Sequence, residues 1–219
     1  MTVPIDAETG APPPRSLDDE TLATAAAKLA ASDPELAGIL GRHGPPPLWA
    51  REPGFGTLVA IILEQQVSLR SGAAALARLA EAADGLEPRR VLAIGEAGAR
   101  AAGLTRQKAL YVVGLAQRVV DGDLEPIAFA ALSDEDVRAR LVAVPGIGRW
   151  TADIYLLMAL GRPDVWPDGD LALAAAMRRA KGLDALPDPA LQRRIAEAWR
   201  PWRAVAARLL WQAYLAGER

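Results

Sequence analysis

The stretch LVAVPGIGRWTADIYLLMALGRPDVWPDGDLAL, residues 141–173, carries the features that decide the fold of this chain. Its apolar start is typical of the end of a helix, and the Pro-Gly-Ile-Gly break at residues 145–148 predicts a tight turn. A second helix is predicted to start at Arg149 and to continue through the apolar residues that follow. After Gly161 a proline-containing loop leads to the acidic turn at residues 168–170, where a third helix opens. The stretch therefore predicts three helices joined by a short turn and an acidic loop.

The composition of the 219-residue chain predicts a soluble, mainly helical protein. Hydrophobic residues make up 51% of the chain and charged residues 24%, which is typical of a globular domain. The apolar residues are mostly Ala and Leu, which favour helices. No apolar run approaches the roughly 18 residues of a membrane span, and the N-terminus lacks the pattern of a signal peptide. We expect a cytoplasmic protein that acts as a monomer and has no membrane partner.

The chain has no cysteine and a single histidine, His43. This composition excludes disulfides, thiol nucleophiles and every cysteine-based zinc or iron–sulfur site. A Ser-His-Asp triad or a site with several histidine ligands is not expected either. No cofactor is therefore predicted to be required.

The sequence predicts one all-α domain over residues 17–219, preceded by a proline-rich disordered tail over residues 1–16. Roughly ten helices of ordinary length are expected, with predicted starts at Pro34, Thr105 and Ser133. The segment at residues 55–70, FGTLVAIILEQQVSLR, is apolar on nearly every side, which indicates a central helix. The two glutamines at its end, residues 65 and 66, are costly to bury and are expected to face a cleft.

The charge balance allows a nucleic-acid partner without indicating one. The formal net charge is -2, but residues 1–50 hold three basic and seven acidic side chains. The remainder of the chain is therefore slightly positive, and a basic surface can form there.

The helix, the turn VPGIG at residues 144–148 and the second helix together predict a helix–hairpin–helix. Gly146 and Gly148 lack a Cβ atom, which allows the backbone to approach a partner closely. The second helix starts immediately after them, so its unpaired N–H groups can point at an anion. Such a turn can bind a DNA phosphate without reading the base sequence. The glycines alone leave open a tight turn between two helices with no ligand.

The stretch at residues 141–173 resembles the helix–hairpin–helix/Gly-Pro-Asp signature of base-excision DNA glycosylases, specifically the AlkA-type 3-methyladenine DNA glycosylase II branch. The resemblance extends over about residues 50–215 and includes three further segments: FGTLVAIILEQQVSLRSGAA (55–74), GLTRQKALYVVGLA (103–116) and WRPWRAVAARLLWQAY (199–214). It implies a two-lobed all-α glycosylase domain over residues 17–219, with the active-site cleft between the lobes.

By this resemblance, the signature aspartate of the family falls on Asp170. The residue pattern alone leaves Asp164, Asp168 and Asp170 as candidates. Asp168 follows Pro167 and is predicted to cap the next helix, which would place Asp170 in the first helical turn, where the helix dipole favours a carboxylate. Cleavage of an N-glycosidic bond develops positive charge on the sugar. Asp170 can stabilise that charge and orient or deprotonate the attacking water.

The resemblance also implies an aromatic base pocket. Trp150 stands where bifunctional relatives carry a lysine that forms a Schiff base, so hydrolysis without a lyase step is expected. Trp150 and Trp211 are predicted pocket walls, since alkylated purines are cationic and electron-rich rings attract cations. Tyr155 is a third candidate wall, although the family often has its aromatic residue one position earlier, where this chain has Ile154.

The remaining site predictions concern DNA. Gln65 and Gln66 match the loop from which the family inserts a side chain into the space left by the flipped base, and Gln66 is the predicted DNA-inserting residue. A solvated helix end is the alternative. The other predicted contacts to the DNA backbone are Gly146, Ile147, Gly148, Arg149 and Thr151, with Arg106, Lys108, Arg178 and Arg179 as further basic candidates. By resemblance alone, the main-chain carbonyls of Val142, Val144 and Ile147 are expected to hold a Na⁺- or K⁺-type ion.

The sequence thus predicts a monofunctional glycosylase of base-excision repair whose partner is double-stranded DNA that contains alkylated bases. Such a protein is expected to act at the nucleoid. It would flip a purine of the 3-methyladenine or 7-methylguanine type and hydrolyse its N-glycosidic bond, which leaves an abasic site. One alternative is a non-catalytic helix–hairpin–helix protein that binds damaged DNA. Another is a glycosylase for oxidised or deaminated bases, whose neutral substrates would gain less from a cation-binding pocket.

Overall fold

The computed structural model describes residues 16–217, and every regular element in that part of the chain is helical. The eleven α-helices are α1 (Asp19–Ser32), α2 (Pro34–His43), α3 (Phe55–Glu64), α4 (Leu69–Ala82), α5 (Pro88–Ala101), α6 (Arg106–Val120), α7 (Asp134–Val142), α8 (Arg149–Met158), α9 (Leu171–Ala180), α10 (Pro189–Ala196) and α11 (Arg203–Leu215). Two short 3₁₀ helices lie at Pro126–Ala131 and Glu197–Trp199. The predicted all-α class is confirmed. The predicted tail lies outside the described residues, apart from Ser16.

Seven of the eleven α-helices start where a short polar side chain accepts hydrogen bonds from the first turn. Asp33 caps α2, with Pro34 at its first position, and Thr105 caps α6. The Ser133 hydroxyl likewise accepts from the backbone N–H of Asp136 at 3.1 Å. These three predicted starts are confirmed, since each depends on a local side-chain contact that the sequence itself displays.

Helix α3 is the centre of the fold. Its residues Leu58, Val59, Ile61, Ile62 and Leu63 are all fully buried, as its nearly uniform apolar surface predicts. Helices α4, α6 and α8 pack against it. Burial of a large aliphatic side chain contributes about 1.5–3 kcal/mol to the free energy of unfolding. The contacts of α3 therefore contribute strongly to the stability of the fold.

The helices fall into two packing groups. Helices α3 to α8 form one group, and helices α1, α2, α9, α10 and α11 form the other. A continuous set of buried apolar side chains runs through both. The start of α8 belongs to the first group and the start of α9 to the second, so residues at these two helix ends meet at the junction.

Asp33 joins separate parts of the second group. Its carboxylate accepts a hydrogen bond from Trp199 Nε1 at 2.7 Å and pairs with Lys181 Nζ at 2.7 Å. Burial alone would raise the pKa of Asp33, but the bonds from Lys181 and Trp199 outweigh it and lower the pKa to about 2. This contact fixes α2 against the segments that follow α9. No helix among residues 16–217 is long and apolar enough to cross a membrane.

Candidate active site

The hairpin turn, residues 143–148, connects α7 to α8 and depends on one glycine. The turn is closed by a hydrogen bond from Ile147 N to Val144 O at 3.0 Å. Gly146 has a φ of 88°, in the region that side-chain-bearing residues rarely adopt. A Cβ atom there would lie 2.3 Å from Cγ of Tyr111, whose ring packs against the turn. Only glycine fits this position without a shift of α6.

The first turn of α8 is open towards solvent. Gly148 is the residue before the helix, so no side chain caps the first N–H groups. Gly148 and Arg149 are exposed, whereas the side chains of Ile147 and Thr151 are only 4% and 2% exposed. Any DNA contact at Ile147 or Thr151 would therefore pass through the main chain. An uncapped helix start of this kind provides N–H donors and partial positive charge for an anion.

Asp170 caps α9, which corrects the sequence prediction that assigned the cap to Asp168. The Oδ1 atom of Asp170 accepts a hydrogen bond from Leu173 N at 2.8 Å. The helix begins two residues later than Pro167-Asp168 suggested, because Gly169 has a φ of 80° and extends the turn. The carboxylate of Asp170 thus lies at the positive end of α9 rather than along its first turn.

Two tryptophan side chains bind the same carboxylate. The Nε1 atom of Trp150 donates to Oδ2 of Asp170 at 2.9 Å, and that of Trp211 donates to Oδ1 at 3.3 Å. With Leu173 N, three N–H donors from α8, α9 and α11 converge on one carboxylate. The structure therefore brings together the predicted catalytic aspartate and the two predicted pocket tryptophans, and it fixes the orientation of both carboxylate oxygens.

Trp49 is an additional aromatic residue at this site that the sequence analysis did not select. Its ring lies edge-on to Trp211, with 6.4 Å between the ring centroids. The guanidinium group of Arg208, which is fully buried, donates to Leu48 O at 3.0 Å and to Leu157 O at 2.7 Å. Burial lowers the pKa of Arg208 to about 10. Arg208 therefore holds the segment that carries Trp49 against α8 and α11.

The prediction that Tyr155 lines the pocket is wrong. Its side chain is fully buried, and its ring contacts Phe129 edge-on. The hydroxyl donates to Pro126 O at 3.3 Å and accepts from Gly54 N at 2.9 Å. Burial raises the pKa of Tyr155 to about 12. Tyr155 supports the first 3₁₀ helix and the start of α3.

Asp168 does not cap α9 and instead pairs with two arginines. Its Oδ2 atom lies 3.2 Å from Arg149 Nε and 2.8 Å from Arg193 Nη1. Arg149 also lies 3.8 Å from the buried Asp153, which accepts a hydrogen bond from Arg138 at 2.8 Å. Burial raises the pKa of Asp153, opposed by its bond from Arg138. These pairs connect the start of α8 to the loop that carries Asp170, so Arg149 is not simply a free cation at the surface.

The two glutamines after α3 have different environments, although the sequence placed both at a cleft. Gln65 Nε2 donates to Gly146 O at 3.0 Å and to the Thr151 hydroxyl at 2.9 Å. Its amide donors are thus used within the protein, and its assignment as a DNA contact stays a prediction. Gln66 is exposed and has a φ of 57°. It borders an open groove of about 830 Å³ between this turn, the start of α6 and the hairpin turn.

The basic candidate Lys108 is also engaged within the protein. Its Nζ atom donates to Leu63 O at 2.7 Å and to Gln65 O at 3.0 Å, and burial lowers its pKa. Lys108 therefore caps the C-terminus of α3, and its contact with a DNA phosphate stays a prediction. Arg106, Arg178 and Arg179 are exposed.

The described residues contain no group of three or more His, Cys, Asp or Glu side chains that could hold a metal ion. The carbonyls at the C-terminus of α7, which ends at Val142, are chemically suited to a hard monovalent cation, since the last carbonyls of a helix lack partners within it. The carbonyl of Val144 accepts one hydrogen bond in the hairpin turn and retains a second lone pair.

Comparison with known proteins places this chain in a family. The sequence model of the HhH-GPD superfamily base excision DNA repair proteins matches residues 59–201. DNA-3-methyladenine glycosylase 2 of Escherichia coli is 31% identical over 189 residues, which cover 80% of this chain and 64% of that protein. The putative DNA-3-methyladenine glycosylase YfjP of Bacillus subtilis is 25% identical over 190 residues, 83% of this chain and 66% of that protein. The chain thus spans just under two thirds of the length of these two relatives.

Solved structures have the same fold. A DNA-3-methyladenine glycosidase from Bacillus halodurans superposes with a TM-score of 0.76 and 27% identity, covering 89% of this chain and 91% of that one. Schizosaccharomyces pombe 3-methyladenine DNA glycosylase Mag1, in complex with abasic DNA, gives a TM-score of 0.81 at 24% identity, covering 87% and 96%. Since the family model matches about two thirds of the sequence, the chain belongs to the HhH-GPD superfamily of base excision DNA repair proteins.

Proposed function

We propose that this protein is a monofunctional DNA glycosylase that removes alkylated purines of the 3-methyladenine and 7-methylguanine type from double-stranded DNA. The observation that carries this proposal is the carboxylate of Asp170, on which the indole N–H groups of Trp150 and Trp211 converge. A protein that only binds DNA needs the hairpin turn but has no use for this arrangement. The names of the Escherichia coli and Bacillus subtilis relatives support the choice of substrate.

The chemistry requires one negative charge beside the sugar. When the N-glycosidic bond breaks, its electron pair moves to the alkylated purine, which becomes neutral, and positive charge develops on the deoxyribose. Asp170 stabilises this charge electrostatically. A water molecule then attacks the sugar carbon and its proton passes to Asp170 or to solvent, which leaves an abasic site and the free base. The three N–H donors hold the carboxylate in place throughout.

The aromatic side chains around Asp170 suit a cationic base. Trp150 and Trp211 bind the carboxylate through their N–H groups, and Trp49 packs on Trp211. A cation over an aromatic face gains about 0.5–2 kcal/mol. This pocket selects bases that already carry positive charge and leave readily, so no acid is needed to protonate the base.

A lyase step is not expected, because no lysine side chain reaches the site. The position after the hairpin turn holds Trp150, and tryptophan cannot form a Schiff base with the sugar. The sequence contains three lysines. The Nζ of Lys28 lies 5.8 Å from the ring centroid of Trp202, Lys108 caps α3, and Lys181 pairs with Asp33 and Glu35.

The DNA would be held by the start of α8 and opened by the turn after α3. The main-chain N–H groups around Gly146, Gly148 and Trp150 would bind a phosphate, assisted by Arg149. Carbonyls of Val142, Val144 and Ile147 would hold a Na⁺- or K⁺-type ion that neutralises charge at the same phosphate. Gln66 would enter the space left by the flipped base, where its amide can hydrogen-bond the unpaired partner base. The protein would act as a monomer.

The experiment that tests this function is the release of free base from a panel of duplexes with one lesion each. We expect release of 3-methyladenine and 7-methylguanine, with little or no release of 8-oxoguanine or uracil. Binding without release of any base would instead support a non-catalytic damage-binding protein. Borohydride should trap no covalent adduct on DNA, and a trapped adduct would contradict the hydrolytic mechanism.

A further inference from the structure

The turn between α3 and α4, residues 65–68, presents Gln66 at the surface in a strained conformation. Gln66 has a φ of 57°, which costs a side-chain-bearing residue about 1 kcal/mol or more. Two of the next three residues are exposed and apolar, Val67 at 46% and Leu69 at 64% accessible. A residue stays in such a conformation only when its neighbours hold the chain on both sides. The contacts of those neighbours therefore determine where Gln66 points.

The residue before Gln66 is held by two different elements. Gln65 Nε2 donates to Gly146 O at 3.0 Å and to Thr151 Oγ1 at 2.9 Å, which ties the turn to the hairpin turn and to α8. Its own carbonyl accepts from Lys108 Nζ at 3.0 Å, which ties it to α6. On the other side, the Ser68 hydroxyl caps α4 by accepting from Ser71 N at 3.2 Å. Gln66 and Val67 are the residues of the turn that lie between these two sets of contacts.

The acceptors of Gln65 are themselves rigid. Gly146 lies at a positive φ with the Tyr111 ring against its Cα, and Thr151 is 2% exposed within α8. A side-chain amide that bonds a backbone carbonyl and a buried hydroxyl fixes its own backbone relative to both. Gly146 and Thr151 flank the N–H groups that bind DNA in the proposed function. Gln65 therefore contacts the DNA-binding turn and is itself part of the turn that carries Gln66.

We propose that Gln65 is a positioning residue that sets the distance between the hairpin turn and the DNA-inserting residue Gln66. This inference rests on the proposed function, because it assigns to Gln65 a role in opening the duplex that the hairpin turn binds. Binding of a phosphate at the start of α8 then places Gln66 at the base stack without a separate conformational search. The hydrogen bonds of Gln65 and Lys108 offset the free-energy cost of the strained Gln66 conformation before the duplex binds.

The test uses Gln65→Met, which keeps the length of the side chain and removes both N–H donors. Its probe is a duplex with a tetrahydrofuran abasic analogue opposite 2-aminopurine, whose fluorescence changes when a side chain enters the stack. We expect Gln65→Met to lose most of the fluorescence change and to excise 7-methylguanine about tenfold more slowly in single turnover, since two hydrogen bonds are removed. Its affinity for an undamaged duplex should stay within about twofold of wild type, because the hairpin turn itself is unchanged.

The matched control is Gln117→Met, which removes an exposed glutamine on α6 that bonds Asp121. It should leave fluorescence, excision and affinity unchanged.

Thr151→Val is a second test variant, because it removes one acceptor of Gln65 without changing the turn after α3. It should lose less of the fluorescence change and of the excision rate than Gln65→Met does. Wild-type fluorescence and excision in both Gln65→Met and Thr151→Val would overturn the inference. An equal loss of affinity for undamaged DNA would also overturn it, because the defect would then lie in the hairpin turn. Absence of excision by the wild-type protein would instead refute the proposed function.

Discussion

The starts of α8 and α9 use the same physical feature in opposite ways. Both helix ends present unpaired N–H groups and partial positive charge. At α8 the preceding residue is Gly148, no side chain caps the helix, and the N–H groups remain open to solvent. At α9 the preceding residue is Asp170, and its carboxylate occupies the helix end. One helix start is available to an anion from outside, and the other already holds an anion that belongs to the protein.

This difference separates binding from chemistry between two helix starts that lie 22 residues apart in the sequence, at Gly148 and Asp170. The open start of α8 suits a DNA phosphate, whereas the carboxylate at α9 suits a developing sugar cation. Trp150 connects them, because it lies in the first turn of α8 and donates to Oδ2 of Asp170. The ion pair between Arg149 and Asp168 is a second contact between the start of α8 and the loop before α9. It does not include the carboxylate of Asp170. Substitutions at each helix start should therefore affect different measured quantities.

The largest expected effect is on excision in variants of Asp170. Both Asp170→Asn and Asp170→Ala should lower single-turnover release of 7-methylguanine by about 10³-fold or more, since the negative charge is removed. Asparagine can still cap α9 and alanine cannot, so only the alanine variant should lose the capping contribution of about 1 kcal/mol. Thermal unfolding of the two variants measures that difference. Excision by either variant at the wild-type rate would show that another residue carries the chemistry.

A second pair of variants addresses the α8 side. Gly146→Ala forces a Cβ atom against the Tyr111 ring at a positive φ, so it should destabilise the turn and weaken binding of abasic DNA by about tenfold or more. Gly148→Ala meets no atom within 4 Å in the free protein. It should leave the unfolding temperature nearly unchanged and weaken DNA binding only through the added methyl group. Equal unfolding temperatures for the two variants would contradict the assigned strain. Fluorescence anisotropy gives the affinities.

Trp150→Phe tests the connection between the two helix starts. Phenylalanine keeps an aromatic wall and removes the N–H group that donates to Asp170. We expect excision to fall about tenfold, because a hydrogen bond to a carboxylate contributes about 1.5–3 kcal/mol. Affinity for abasic DNA should change much less. A variant with the wild-type rate would mean that Trp150 acts only through its ring.

The smallest effect is expected for Asp168→Asn. Its partners Arg149 and Arg193 are 60% and 51% exposed in their side chains, and ion pairs with such exposed partners contribute little. Excision should fall about threefold, because the loop before Asp170 would hold the carboxylate of Asp170 less precisely. Asp184→Asn, at an exposed position, is the control and should have no effect. A loss as large as that of Asp170→Asn would assign Asp168 to the chemistry.

The parts of the fold that depend on neighbouring residues could be predicted from the sequence. The starts of α2, α6 and α7 follow from local caps at Asp33, Thr105 and Ser133. The same local reasoning failed at Asp168, where a proline followed by an aspartate resembles a cap but Gly169 extends the turn. The selection of Asp170 came from the family resemblance, since the pattern alone left three aspartates open.

Features that depend on contacts between distant segments could not be predicted. Helical periodicity does not tell whether Tyr155 faces a pocket or the core, and its hydroxyl partners lie in two other segments. Trp49 follows Leu48, whose carbonyl accepts a hydrogen bond from the distant Arg208. Nothing local distinguishes Gln65 from Gln66 either. Their difference arises because only Gln65 reaches the carbonyl of Gly146.

The most direct test of the separation between the two helix starts measures affinity and saturated rate on the same preparations of Asp170→Asn and Gly146→Ala. Affinity is measured on abasic DNA, and release of 7-methylguanine is measured in single turnover at saturating protein. We predict that Asp170→Asn keeps its affinity within about twofold and loses the rate, since the start of α8 is intact. Gly146→Ala should bind at least about tenfold more weakly and lose far less of the rate at saturation than Asp170→Asn does. Loss of both quantities in both variants would contradict the account.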